Sequence, residues 1–185
     1  ANIDSEHVIS APDVDNIYEI PLNFEKENLG LKILKKFNLS PIKNPDWGKW
    51  VELVNKINNP KDVVNVAMVC KYIDIGDFEL EDSYISVNQA LKHAAAAHDV
   101  KINIEWIDAK IFEKDQNKLN VLRNFDGIVV PGGFGGIGVE GKIAAINYSR
   151  LNNIPFLGLC YGLQLAVIEF ARNVCGLKDA HTTEV

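Results

Sequence analysis

The sequence is poor in cysteine, in positive charge and in long apolar runs, and each shortage removes a class of protein. Its three cysteines, Cys70, Cys160 and Cys175, are odd in number and lack metal-site spacing. A disulfide framework is therefore excluded, no metal is expected, and a reducing cytoplasm is the expected setting. No apolar stretch approaches the roughly 20 residues that a membrane-spanning helix needs. The first residues also lack the charged-then-apolar pattern of a signal peptide, so no membrane association is expected. Acidic residues outnumber basic ones, 25 to 19, for a net charge of −6, the wrong sign for a general nucleic-acid binder. The remainder is ordinary globular composition. The chain is 47% hydrophobic over 185 residues, enough for one large domain or one domain with an appendage.

Composition shifts near residue 62. Pro12, Pro21, Pro41, Pro45 and Pro60 lie before it, among short apolar pieces. Within that part, a helix is expected over residues 28–36, where Leu29 and Ile33, with Phe37 just after, recur at helical spacing. Trp47, Trp50, Val51, Val54 and Ile57 form a second stripe over 47–58, closed by Asn58-Asn59-Pro60. Neither stripe can be buried alone, so each needs a neighbour, either the domain that follows or something upstream of the chain.

After residue 62, strand-like and helix-like runs alternate. Strands are expected at 63–69, 101–107, 127–130 and 154–159, and helices at 84–98, 118–125, 141–151 and 161–174, with Asp82 and Ser83 capping the first. The run at 63–69 is apolar throughout, as in a strand buried on both faces, whereas 101–107 alternates, as in a strand with one exposed face. The order predicts an α/β fold, a doubly wound, mostly parallel sheet with helices on both faces. Such sheets bind ligands beyond the carboxyl ends of their strands, which points to the loops after Val130 and Leu159.

Both loops carry chemistry. Gly158-Leu159-Cys160-Tyr161-Gly162 sits where a strand runs into a helix and fits a G-x-nucleophile-x-G elbow. The unpaired N–H groups and macrodipole of the helix start favour a thiolate there. The competing reading makes Cys160 a small buried hydrophobe at a strand end. Cys175, at a helix end, reads as a packing residue. Pro131-Gly132-Gly133-Phe134-Gly135-Gly136-Ile137-Gly138 follows the preceding strand and can aim backbone N–H groups at a phosphate or an oxyanion. It is not a P-loop. It matches G-x-G-x-x-G as letters, but it follows the third strand and lacks an acidic partner, so a dinucleotide site is disfavoured. A nucleophile on one loop and oxyanion donors on the other suit acyl transfer.

These residues resemble the class I glutamine amidotransferase domain of the CTP synthase family, with its flavodoxin-like fold. The likeness rests on Gly127 to Gly135 and Val139-Glu140-Gly141-Lys142-Ile143, on Asn153 to Cys160 with Gln164 to Val174, and on Thr182-Thr183-Glu184. Upstream, Val8 to Pro21 resembles the end of that family's ATP-dependent synthetase domain. The resemblance implies a synthetase tail at 1–24, a helical linker at 25–62 and an amidotransferase domain at 63–185. It implies a parent enzyme that converts UTP to CTP with ATP, Mg and glutamine-derived ammonia, regulated by GTP and assembled as a homo-oligomer, a tetramer. No cofactor is implied for this chain itself. Carried over by position, Cys160 is the nucleophile and the N–H groups of Gly133 and Tyr161 form the oxyanion hole. Gly133, Tyr161, Gly162, Leu163, Gln164 and Glu184 hold glutamine, with Glu184 pairing its α-ammonium. Pro12, Asp13 and Val14 lie near ATP.

Departures from the pattern accompany the likeness. Cys70 stands where the family usually has glycine, Ile137 where it has arginine, and Tyr161 where it has leucine. The family's triad histidine and glutamate fall beyond Val185, and His181 is too close to the elbow to take that role. The chain is accordingly expected to be a fragment of such an enzyme, with glutaminase activity lost in isolation. Two other readings stay open: another cysteine-elbow hydrolase of the same fold, and a non-catalytic remnant that binds glutamine or a partner.

Overall fold

The computed structural model describes residues 3–70, 84–133 and 135–184, so the expected cap at Asp82 and Ser83 lies outside the described residues. The chain divides into two units, one spanning Ala1–Lys61 with Ala96–Val100 and the other Asp62–Ala95 with Lys101–Val185.

The first unit carries three helices, α1 (Ile20–Lys26), α2 (Leu29–Lys36) and α3 (Gly48–Asn58). Helix α1 was not anticipated from the sequence, where Pro21 stands among the five prolines of the first part. Pro21 sits in the first turn, where its missing N–H would have had no partner anyway. The neighbour that α3 needs is local. Trp50 Nε1 donates to the Tyr18 carbonyl at 2.7 Å with the two rings 6.0 Å apart, and Asn58 Nδ2 donates to Glu19 Oε1 at 2.6 Å. Val54 is buried behind them. The stripe expected on α2 is not covered, since Ile33 and Phe37 are both exposed.

The second unit holds strands β1 (Asp62–Cys70), β2 (Val100–Asp108), β3 (Gly127–Val130) and β4 (Phe156–Gly158) in the order β2-β1-β3-β4. β1 pairs with β3 and β3 with β4, both parallel, with Met68 opposite Val129 and Val130 opposite Gly158. Chain order reverses between β1 and β3, so the crevice of this α/β fold opens at the carboxyl end of β3. β4 is shorter than the expected 154–159 because Pro155 has no N–H for a ladder, although its carbonyl accepts from Ile128.

Helix α4 (Ile85–Ala97) covers one face, where Val87 and Leu91 meet Val66, Met68 and Val129. Helices α5 (Lys110–Lys114), α6 (Val139–Leu151) and α7 (Tyr161–Asn173) cover the other, around Phe112, Ile128, Val130, Ile146 and Leu165. The helix expected at 118–125 is instead a 3₁₀-helix, Gln116–Asn124. Leu119, Leu122 and Phe125 recur every third residue, which aligns them on one face only at three residues per turn, and all three pack on the core.

α6 and α7 are fastened by charge. Glu169, almost wholly buried, accepts from Arg150 at 2.8 Å, Asn147 at 2.7 Å and Asn173 at 3.1 Å. Burial pushes its pKa up, but these hydrogen bonds and the guanidinium outweigh that and hold the carboxyl below its ordinary value. Its stabilising contribution is thus present above the unfolded glutamate pKa and is lost as pH falls through the folded one. Among the described residues, no helix is long and apolar enough to cross a membrane.

Candidate active site

Cys160 occupies the turn between β4 and α7 with φ 52° and ψ −111°, a backbone conformation that residues with a Cβ adopt only under strain. The turn is forced from both sides. Leu159 N–H donates to the Val130 carbonyl at 3.0 Å, and Gly162 N–H donates to the Leu159 carbonyl at 2.9 Å. A Cβ on Gly162 would overlap the Val130 carbonyl oxygen, and one on Gly158 would come within 2.7 Å of the Gly162 backbone. The two glycines let strand, turn and helix close on one another, and the thiol is carried outward. Cys160 is exposed, which removes the reading of it as a buried hydrophobe. Cys175 is exposed too, so its expected packing role is not met, while Cys70 is buried.

The glycine-rich loop arrives beside the thiol. A Cβ built on Gly132 would stand 3.4 Å from Cys160 Cβ and 3.7 Å from its Sγ. Gly133 has φ 132°, open to glycine alone, so this peptide orientation depends on the missing side chain. At the head of α7, Leu163 and Gln164 N–H groups donate to the Cys160 carbonyl at 3.1 and 3.3 Å. The Tyr161 N–H, at the first helical position, has no acceptor among the described residues, as helix starts generally leave it.

The segment after α7 folds back to the same helix. Thr182 Oγ1 donates to Gln164 Oε1 at 3.2 Å and accepts from Glu184 N–H at 3.1 Å. Arg172 Nε donates to the Ala180 carbonyl at 2.6 Å while its Nη1 pairs with Glu140 at 3.0 Å. Cys160, Gly133, Tyr161, Gly162, Gln164 and Glu184 are thus gathered in the second unit. Leu163 is there as well, with its side chain exposed on the outer side of α7. Pro12, Asp13 and Val14 belong to the first unit, where Pro12 and Asp13 are exposed and Val14 is half-buried. His181 lines a cavity of about 190 Å³ with Val139, Glu140, Arg172 and Thr182, and Cys160 is not among its lining residues.

The Tyr161 side chain does something its backbone role did not foretell. Its ring lies in the core beneath α6, and its buried hydroxyl has no hydrogen-bond partner among the described residues. Burial first, and then the charges of Glu184 and Glu140, raise its pKa above the ordinary tyrosine value. An unpartnered buried hydroxyl costs about 1–3 kcal/mol. Tyr161→Phe, which keeps the ring, is therefore expected to leave stability equal or higher, by about 1 kcal/mol. A denaturant midpoint clearly below that of the unsubstituted chain would show that the hydroxyl has a partner.

Known proteins resemble this chain in sequence and in fold. The family model described as Glutamine amidotransferase class-I matches residues 79–184. The CTP synthase of Thermococcus kodakarensis is 50% identical over 184 residues, which is 100% of this chain and 33% of that protein. The CTP synthase of Methanocaldococcus jannaschii is 49% identical, over 99% of this chain and 34% of that protein. A solved structure, described as Trypanosoma brucei CTPS glutaminase domain with bound acivicin, superposes with a TM-score of 0.59 at 42% identity. It covers 65% of this chain and 45% of its own. The chain spans about a third of the length of the curated relatives it matches.

Proposed function

Since the chain belongs to the class-I glutamine amidotransferase family, we propose that its natural gene product is a CTP synthase that hydrolyses glutamine at Cys160. The ammonia then serves the ATP-dependent amination of UTP. The observation that carries the proposal is the strained Cys160 turn at the head of α7, with the Gly132–Gly133 loop against its thiol. In this reading, Cys160 Sγ attacks the carboxamide carbon, and the oxygen that becomes negative is received by the N–H groups of Gly133 and Tyr161. Breaking the C–N bond releases ammonia, which takes up the thiol proton, and leaves a glutamyl thioester. Water adds to the same carbon through a second oxyanion, giving glutamate and restoring the thiol. Gly162, Leu163 and Gln164 border the substrate, and the Glu184 carboxylate pairs its α-ammonium.

By resemblance to the family we assign proton transfer to a histidine outside residues 1–185; His181 lines the cavity beside Glu140 and Arg172, and its Nδ1 lies 3.0 Å from the Thr182 carbonyl. ATP, with its Mg, is a substrate of the whole reaction. Pro12, Asp13 and Val14, in the proposed synthetase tail at 1–24, border it, with 25–62 a linker and 63–185 the amidotransferase domain. GTP activation and a tetrameric assembly complete the proposal, as does a cytoplasmic location.

The test uses the natural gene product. Cys160→Ala is expected to abolish glutamine-dependent CTP formation while leaving ammonia-dependent formation intact. Glutamine-dependent synthesis that survives the substitution overturns the assignment. An electrophilic glutamine analogue is expected to label Cys160 ahead of both Cys175, which is also exposed, and the buried Cys70. Peptide mapping with equal label on Cys160 and Cys175 would mean that exposure alone governs reactivity.

A further inference from the structure

The Tyr84 hydroxyl donates to the carbonyl oxygen of Gly132 at 3.2 Å, across 48 residues of sequence. That carbonyl belongs to the same peptide unit as the Gly133 N–H. The described chain has no cis peptide bond, so the two groups point in opposite directions. Whatever fixes the Gly132 oxygen therefore fixes the aim of the Gly133 N–H. The loop backbone is conformationally permissive. Gly133, Gly135 and Gly138 all adopt positive φ, and glycine-rich backbone can rotate such a peptide at small steric cost.

Tyr84 itself is held. It is buried, directly precedes α4, and its ring lies 5.6 Å from that of Trp106 on β2, tilted by 32°. Trp106 in turn packs with the cluster of Val66, Met68 and Val129 under α4. A line of contacts thus runs from the α4 face of the sheet, through Trp106 and Tyr84, to the peptide that abuts Cys160.

We infer that Tyr84 is a positioning residue for glutamine hydrolysis, holding the Gly132–Gly133 peptide so that its N–H stays directed at the developing oxyanion. The inference rests on the glutaminase reading above. Tyr84→Phe in the natural gene product keeps the ring and its contact with Trp106 and removes the hydroxyl that donates to Gly132. Outright removal of an oxyanion donor costs about 10²–10³ in kcat, so loosening one is expected to cost roughly tenfold. Because the group acts in the transition state, KM for glutamine should stay within about twofold. Glutamate γ-semialdehyde, whose adduct with the thiol places an oxygen in the oxyanion position, should bind more weakly by the same factor as kcat falls. Product glutamate, which makes no such adduct, should bind as before.

Trp106→Phe, which keeps the hydroxyl but shrinks the ring behind it, should move both quantities the same way by less. It gives the same reading should Tyr84→Phe not fold. An unchanged kcat, or a lowered kcat without the matching loss of aldehyde affinity, overturns the role of Tyr84 while leaving the glutaminase reading in place. Equal weakening of aldehyde and glutamate also overturns it, because that would be general damage to the site. An unsubstituted protein that releases no glutamate from glutamine would overturn the glutaminase reading itself, and the role of Tyr84 with it.

Discussion

Gly162→Ala is expected to cost about 3 kcal/mol or more and to take glutamine turnover with it, since overpacking against atoms that cannot move lies at the severe end of its range. The added Cβ would overlap the carbonyl oxygen of Val130. That oxygen cannot yield easily. It accepts from Leu159 N–H at 3.0 Å and belongs to the strand that pairs with both β1 and β4. The relief available is for α7 to back away from the sheet, and α7 carries the Cys160 turn at its head. Gly30→Ala is the control. It lies in α2 with nothing within 4 Å of the added Cβ, so ordinary helix propensity should make it stabilising by about 0.5–1 kcal/mol. Thermal or denaturant unfolding of the two variants should therefore move in opposite directions. A Gly162→Ala variant within about 0.5 kcal/mol of the parent, the range of an ordinary surface change, would mean that helix and strand are not locked at this contact.

The contrast between these glycines shows what was legible in the sequence and what was not. The G-x-Cys-x-G spacing at a strand end was visible because the elbow is a local device, made within five residues. The strand at 127–130 was equally visible, being a short apolar run between a glycine and a proline. The 3₁₀-helix Gln116–Asn124 was misread because its apolar residues are so few that periods of 3.0 and 3.6 cannot be told apart by counting. The contacts that aim the site were invisible for a different reason. Tyr84 reaches Gly132 across 48 residues, and Glu140 reaches Arg172 across 32, and nothing in either local pattern marks the partner. Glu169 lies in the helix expected at 161–174, and its burial was not foreseen because its partners Arg150 and Asn147 come to it from α6. Tyr161 shows both sides of the limit. The family resemblance implied a backbone role for it, while its side chain was free to enter the core and did.

Strain at Cys160 has a consequence that separates function from stability. An L-residue at φ 52° and ψ −111° stores on the order of 1–3 kcal/mol, and the surrounding contacts, not the thiol, hold it there. Glycine at this position escapes that cost. Elsewhere in regular structure an alanine is worth about 0.5–1 kcal/mol more than a glycine, because glycine loses more backbone entropy on folding. Here the order should invert. Cys160→Gly is expected to be more stable than Cys160→Ala by about 1 kcal/mol, the net of strain relieved and entropy lost. Both variants should be without glutamine turnover, since the oxyanion donors and bound substrate alone leave only a small remnant of catalysis when a nucleophile is removed. Their common inactivity makes the stability comparison clean, because neither retains the sulfur. Equilibrium unfolding of the pair, with the parent alongside, reads the difference directly. Should alanine prove as stable as glycine or more so, the turn would be an ordinary strand-to-helix junction, and the structural argument for Cys160 as a residue held in readiness for attack would fail.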